Sequence, residues 1–114
     1  MAVKRKSILV EKTHKVVKEI YKISLSFSSR YQSSIGDQIR RASLSIVLNI
    51  VEASAKFSQN EKKQFLKFSF SSLKETKYLL YFCKEFHLIG ELSYKKIIVE
   101  LDEIAKLLYG IIRK

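Results

Sequence analysis

The sequence predicts an all-α fold: an antiparallel, up-down-up-down four-helix bundle forming a single domain over residues 1–114. Three observations carry that expectation. There is no proline, and the only glycines are Gly36, Gly90 and Gly110, too few for the tight turns of an all-β domain. Apolar residues recur at three- and four-residue spacing along four long stretches. The connections between those stretches are short, and short loops force successive helices to run antiparallel.

The first helix is expected over about 7–27, where Leu9, Thr13, Val16, Ile20, Ile23 and Phe27 share one face. The polar stretch from Ser28 to Ser34 ends it. The second is expected over about 35–56, with Ser34 as its N-cap in a loose capping pattern. The third, about 58–87, opens on a full capping box, Ser58-Gln59-Asn60-Glu61. Its core face is Phe65, Ser72, Thr76, Leu79 and Cys83, and Gly90 suits the position just past its C-terminus. The fourth, about 93–112, takes Ser93 as N-cap and buries Tyr94, Ile97, Leu101, Ile104, Leu108 and Ile111.

The second helix has three sectors at 100° per residue. Ile35, Ile39, Ala42, Ile46, Ile50 and Ala53 form the bundle face. Leu44, Val47, Leu48, Val51 and Ala55 form a second apolar sector, which needs a second apolar neighbour. That neighbour is either another subunit or a flanking helix of the same bundle. Gln38, Arg41, Ser45, Asn49 and Glu52 form a polar sector, read either as a solvated face or as a hydrogen-bond network that sets helix register.

Charge is the other strong signal. Twenty-two Lys and Arg against eleven Asp and Glu give a net charge of +11, of which residues 1–57 carry +7 and residues 58–114 carry +4. Lys4-Arg5-Lys6 forms a short basic arm, and Lys15, Lys18 and Lys22 share a face of the first helix. On the third helix Lys63, Lys67, Phe70, Lys74, Lys77, Tyr81 and Lys84 fall within a sector about 100° wide and about 31 Å long. Lysines along a rigid rod neutralise phosphates and release counterions, and aromatic rings stack on unpaired bases. The competing reading is a lysine-rich solvated face, although such faces usually mix signs.

Two sequence blocks carry a resemblance. Gly36-Asp37-Gln38-Ile39-Arg40-Arg41-Ala42-Ser43-Leu44-Ser45-Ile46, followed by Asn49-Ile50-Val51-Glu52, resembles the signature of the 23S rRNA intervening-sequence proteins, a bacterial four-helix-bundle family. Phe65-Leu66 and Ser72-Leu73-Lys74-Glu75 resemble its second half. Ala53 and Ser71 stand where that family usually has glycine. The resemblance implies a homo-oligomer, typically a pentamer, with a gene that can sit within a large-subunit ribosomal RNA gene. A similar pentameric bundle is the accessory protein of diversity-generating retroelements, which works with nucleic acid and a reverse transcriptase. The resemblance also favours the network reading of the polar sector, with Ser72 and Glu75 as further members.

Reaction chemistry is not legible. His14 and His87 lie on different helices, and neither has a partner at metal-ligand spacing. No phosphate loop or nucleophile elbow is present. Cys83 reads as a small core hydrophobe, and a single cysteine fits a reducing compartment. Glu52 and Glu75 read as acceptors for Arg or Ser, not as a catalytic pair. No stretch approaches the ~18 uncharged apolar residues of a membrane span, so a cytoplasmic location is expected. The expected protein is a non-enzymatic oligomer without cofactor or metal, binding RNA or DNA with little sequence specificity. The alternative is an adaptor that docks an acidic protein, a reverse transcriptase included.

Overall fold

The computed structural model describes residues 2–114, with side chains described from residue 8 onward. All regular structure among them is helical. Four long helices dominate: α1 (Ala2–Leu25), α2 (Asp37–Ser54), α3 (Gln59–Glu85) and α4 (Glu91–Ile112). The molecule measures 44 × 25 × 19 Å, the long dimension set by α3. In cross-section α2 packs most extensively on α3, α1 lies beside α2, and α4 closes the ring against α3 and α1.

The core is built from single faces of each helix. Val16 and Ile20 of α1 meet Ile39, Ile46 and Ile50 of α2, Leu73 and Leu80 of α3, and Ile97, Leu101, Ile104 and Leu108 of α4. The expected face of α4 is buried through its middle, with Tyr94 and Ile111 half-exposed at its ends. The face of α3 is wider than the sequence reading and is centred differently. Leu66, Ser69, Leu73 and Leu80 are buried beside Thr76, Leu79 and Cys83, whereas Phe65 and Ser72 are only half-buried. A helix wedged between two neighbours needs this broad apolar arc. The rotation turns Phe70, Lys77 and Lys84 toward α4.

Small residues let α2 and α3 approach closely. The Ser69 hydroxyl, fully buried, donates to the Ile46 carbonyl at 2.7 Å. Ser45 and Ser72 exchange a hydrogen bond at 2.9 Å. Ala53 is buried and Ser71 is exposed. Buried hydroxyls elsewhere bond back into their own helices, as Thr13 does to Leu9 at 2.7 Å. Among the described residues every buried polar side-chain atom has a partner.

The α1–α2 corner differs from the loop expected there. Ser29–Tyr31 form a helical turn and Gln32–Gly36 a π-helix that runs directly into α2. Ser34 is therefore not an N-cap, because it already lies inside helical backbone. Its hydroxyl points back to the Tyr31 carbonyl at 3.4 Å. Arg40 fastens the corner. Its guanidinium donates to the Ser24 hydroxyl at 3.1 Å, to the Gln32 side-chain oxygen at 3.1 Å and to the Gln32 carbonyl at 2.8 Å. The Gln32 amide in turn donates to the carbonyls of Ser24 and Phe27, at 2.8 and 2.7 Å. Gly36 makes room for this arrangement: a Cβ there would sit 2.9 Å from the Tyr31 carbonyl and 3.2 Å from Arg40 Nη1.

The remaining helix ends separate into an expected one and a corrected one. Ser58 caps α3, accepting from the Glu61 N–H at 3.1 Å, while its hydroxyl contacts the Glu61 carboxylate at 3.2 Å. The C-terminus of α3 closes on His87, not Gly90. His87 takes φ 60°, its N–H donates to the Lys84 carbonyl at 3.0 Å, and the Leu88 N–H donates to Cys83 at 2.8 Å. These two bonds define a Schellman closure, whose left-handed position normally favours glycine. Gly90 instead is the N-cap of α4 in extended conformation, so Ser93 lies inside the helix. A histidine in left-handed backbone is strained. His87→Gly is expected to stabilise the protein by about 0.5–1 kcal/mol, read as a higher urea midpoint at unchanged slope.

Candidate nucleic-acid interface

The basic face of α3 is a shoulder beside α4. Lys67 and Lys74 are exposed and Lys63 is half-exposed. None of the three has a carboxylate within salt-bridge distance among the described residues. The Lys74 ammonium lies 5.2 Å from the centre of the Phe70 ring, which is half-buried against the core. Such contacts hold a cation over an aromatic face without neutralising it.

Two lysines of the expected stripe are engaged within the chain. Lys77 forms an ion pair with Asp102 of α4 at 2.6 Å, its side chain 28% exposed. The sequence reading treated it as a free outward cation; the rotation of α3 brings it over α4 instead. Lys84 sits 5.2 and 5.1 Å from the rings of Tyr81 and Tyr94 and 3.5 Å from the Glu85 carboxylate. Partial desolvation would lower its pKa, but Glu91 and Glu85 outweigh that and hold the ammonium above its ordinary value. Tyr81 is 46% exposed. The free end of the stripe is therefore its N-terminal half.

A second basic face lies on α1, where Lys15, Lys18 and Lys22 are all exposed. Their neighbours Lys12 and Glu19 form ion pairs with Glu103 and Lys96 of α4, at 3.7 and 3.9 Å. Lys4, Arg5 and Lys6 fall within the span of α1, and their side chains lie outside the described residues.

The polar sector of α2 divides in two. Asn49 donates to the Ser45 hydroxyl at 3.0 Å and to its carbonyl at 2.8 Å, and Ser45 meets Ser72 across the helix contact. Within this chain Arg41 pairs with Asp37 at 3.6 Å and Glu52 with Lys56 at 3.4 Å, each one turn away along the chain. Gln38 and Glu75 are exposed. Arg40, Gln32 and Ser24, which hold the α1–α2 corner, were missed. The available signal is angular: at 100° per residue Arg40 flanks the bundle face of Ile39, Ile46 and Ile50, whereas Arg41 lies on its far side.

On the second apolar sector Leu48 is 54% exposed, Val51 47% and Leu44 38%, with Val47 half-buried. α1 and α3 therefore leave this sector partly uncovered. Phe57, in the connection after α2, is exposed as well.

Cys83 is fully buried, and burial pushes its thiol up to about 11. It belongs to the core. Among the described residues no three His, Cys, Asp or Glu gather where a metal ion could be held. No described helix is long and apolar enough to cross a membrane.

The model of the 23S rRNA-intervening sequence proteins matches residues 5–110. The chain belongs to that family. Among solved structures, this family member is similar to a Bacteroides thetaiotaomicron protein of unknown function from the S23 ribosomal protein family. The two are 25% identical, with a TM-score of 0.88 over 96% of this chain and 99% of that one. Among curated proteins none matches this family member.

Proposed function

We propose that this protein is a homo-oligomeric, up-down-up-down four-helix bundle that binds RNA or DNA through phosphate contacts with little sequence specificity, and catalyses no reaction. The observation that carries the reading is the row Lys63, Lys67 and Lys74 on α3, unpaired by carboxylates among the described residues, in a chain of charge +11. Membership of an rRNA-related family agrees with it.

Antiparallel neighbours are supported by paired numbering. Lys12 meets Glu103 while Glu19 meets Lys96, and Lys77 meets Asp102 while Lys84 meets Tyr94. Self-association is supported by the exposed ridge of Leu44, Leu48 and Val51. Five subunits is the number the family resemblance implies. An oligomer would repeat the basic row in every subunit, which suits a long polyanion better than a compact ligand. Work beside a ribosomal RNA insertion or a reverse transcriptase is consistent with such an activity.

The second reading is an adaptor that docks an acidic protein. Lys63, Lys67 and Lys74, which have no carboxylate partner among the described residues, would serve it as contacts for acidic side chains. Replacing Lys63, Lys67 and Lys74 together with Glu tests the first reading. The variant should keep its helix content and lose affinity for mixed-sequence RNA and single-stranded DNA alike, since phosphate contacts carry no base information. Lys77 is excluded from the set because Lys77→Glu would set a carboxylate against Asp102. Unchanged affinity in the triple variant would remove α3 from the interface.

A further inference from the structure

We propose that the cleft between α3 and α4, walled by Phe70 and Tyr109, receives an unpaired nucleobase of a single strand, its flanking phosphates meeting Lys74, Lys106 and Arg113. This rests on the nucleic-acid reading above and adds to it a place and a strand preference.

The cleft is a shallow, open depression of about 420 Å³, lined by Phe70 of α3 and by Ala105, Lys106, Tyr109, Gly110 and Arg113 at the α4 end. It is broadly open to solvent, as a polymer that must enter and leave requires. Its walls are apolar and aromatic, and the polar groups at its rim are cationic. Lys74 lies 5.2 Å from the Phe70 ring centre and the Arg113 guanidinium 5.9 Å from that of Tyr109. No carboxylate lines it. Asp102, one turn back along α4, is occupied by Lys77.

Gly110 is the second observation. It lies within the last turns of α4, where glycine costs about 1 kcal/mol relative to alanine. Its backbone is not left-handed, and a Cβ there would meet nothing within 4 Å. Neither chain geometry nor packing in the bundle calls for glycine. What its missing side chain does is leave open space along the lining of the cleft.

The chemistry selects one occupant. Stacking needs a flat π-face, and the neighbouring cations need anions a few ångströms away; an unpaired nucleotide supplies both. An acidic peptide would use the cations and leave the aromatic walls idle. A duplex keeps its bases stacked inside and offers only phosphates. Lys106 and Arg113 line the cleft together with Phe70, so the cations at the end of α4 belong to the same surface as the α3 face.

The test uses the full chain and Gly110→Leu, which adds an apolar side chain to the cleft lining, keeps every cation and favours the helix. Labelled mixed-sequence single strands of RNA and of DNA, a second DNA strand made with abasic sites, and the DNA duplex of the intact strand are titrated at ~50 mM salt, where phosphate contacts are strong. The expected result is a loss of about tenfold for both single strands, the stacking contribution of one base, with duplex affinity held within about twofold. The abasic strand should bind the wild type as weakly as the intact DNA strand binds the variant. Tyr109→Ala, at an exposed position, should repeat the pattern. An equal loss on strand and duplex, or no loss on single strands, overturns the cleft while leaving phosphate binding in place. A wild type that binds no nucleic acid overturns both.

Discussion

Arg40→Leu is expected to lower the unfolding free energy by about 2–4 kcal/mol, whereas Arg41→Leu, one residue along, should change it by about 0.5 kcal/mol or less. Arg40 supplies three charge-assisted hydrogen bonds to Ser24 and Gln32, and Gln32 in turn ties down the carbonyls of Ser24 and Phe27. Removing the guanidinium strands partly buried acceptors, which costs more than the bonds are worth in water. Arg41 makes one exposed pair with Asp37, its side chain 80% accessible. The loss at Arg40 is a large share of the ~5–15 kcal/mol of a typical domain and should lower the thermal midpoint by roughly 10 °C. Thermal melts of the two variants in parallel check it, and equal midpoints would show that the corner is not held by Arg40.

The second large effect is expected on assembly. Leu48→Glu should convert the proposed oligomer to a smaller species at micromolar concentration, seen as a fall in mass by light scattering. Leu48 stands at the centre of the exposed ridge between Leu44 and Val51, outside the bundle core. In an isolated bundle a glutamate there is solvated and harmless. In a subunit contact it is an unpaired buried charge, costing about 3–5 kcal/mol for each contact. Leu92→Glu is the control: Leu92 is 84% exposed in the first turn of α4, so its replacement should leave the mass unchanged. A wild type that scatters as a monomer would set the ridge aside as an interface, whatever the variants do.

The legible parts of this fold are those where one helix face faces one neighbourhood. On α4 the series Ile97, Leu101, Ile104 and Leu108 is uninterrupted and is buried as its spacing requires. On α3 the spacing admits two overlapping apolar arcs, and the choice between them depends on both flanking helices, so the expected face shares Thr76, Leu79 and Cys83 with the buried arc but lies to one side of its centre. That offset decides Lys77: its partner Asp102 lies 25 residues downstream, and nothing local announces the pair. The α1–α2 corner was illegible for a different reason. Gln32–Gly36 form a π-turn whose stability comes from Arg40 and Gln32 across the corner, not from the helix propensity of its own residues. At the α3–α4 turn the glycine rule misled by three residues. His87 takes the left-handed position, and Gly90 serves the next helix start. The basic row of α3 is visible as a pattern, but its neighbourhood with Tyr109, Gly110 and Arg113 depends on the packing of α4 against α3.

The salt dependence of wild-type binding to a mixed-sequence single strand tests the central claim most directly. Between about 50 and 200 mM salt, the logarithm of the association constant should fall linearly with the logarithm of salt concentration, by about 0.7 in slope for each phosphate contacted. Lys63, Lys67 and Lys74 predict a slope of about −2 or steeper for one subunit engaged, and steeper still in an oligomer. Measurable binding with that slope, alike across unrelated sequences, is the predicted result. No binding at ~50 mM salt, or binding indifferent to salt, would contradict it.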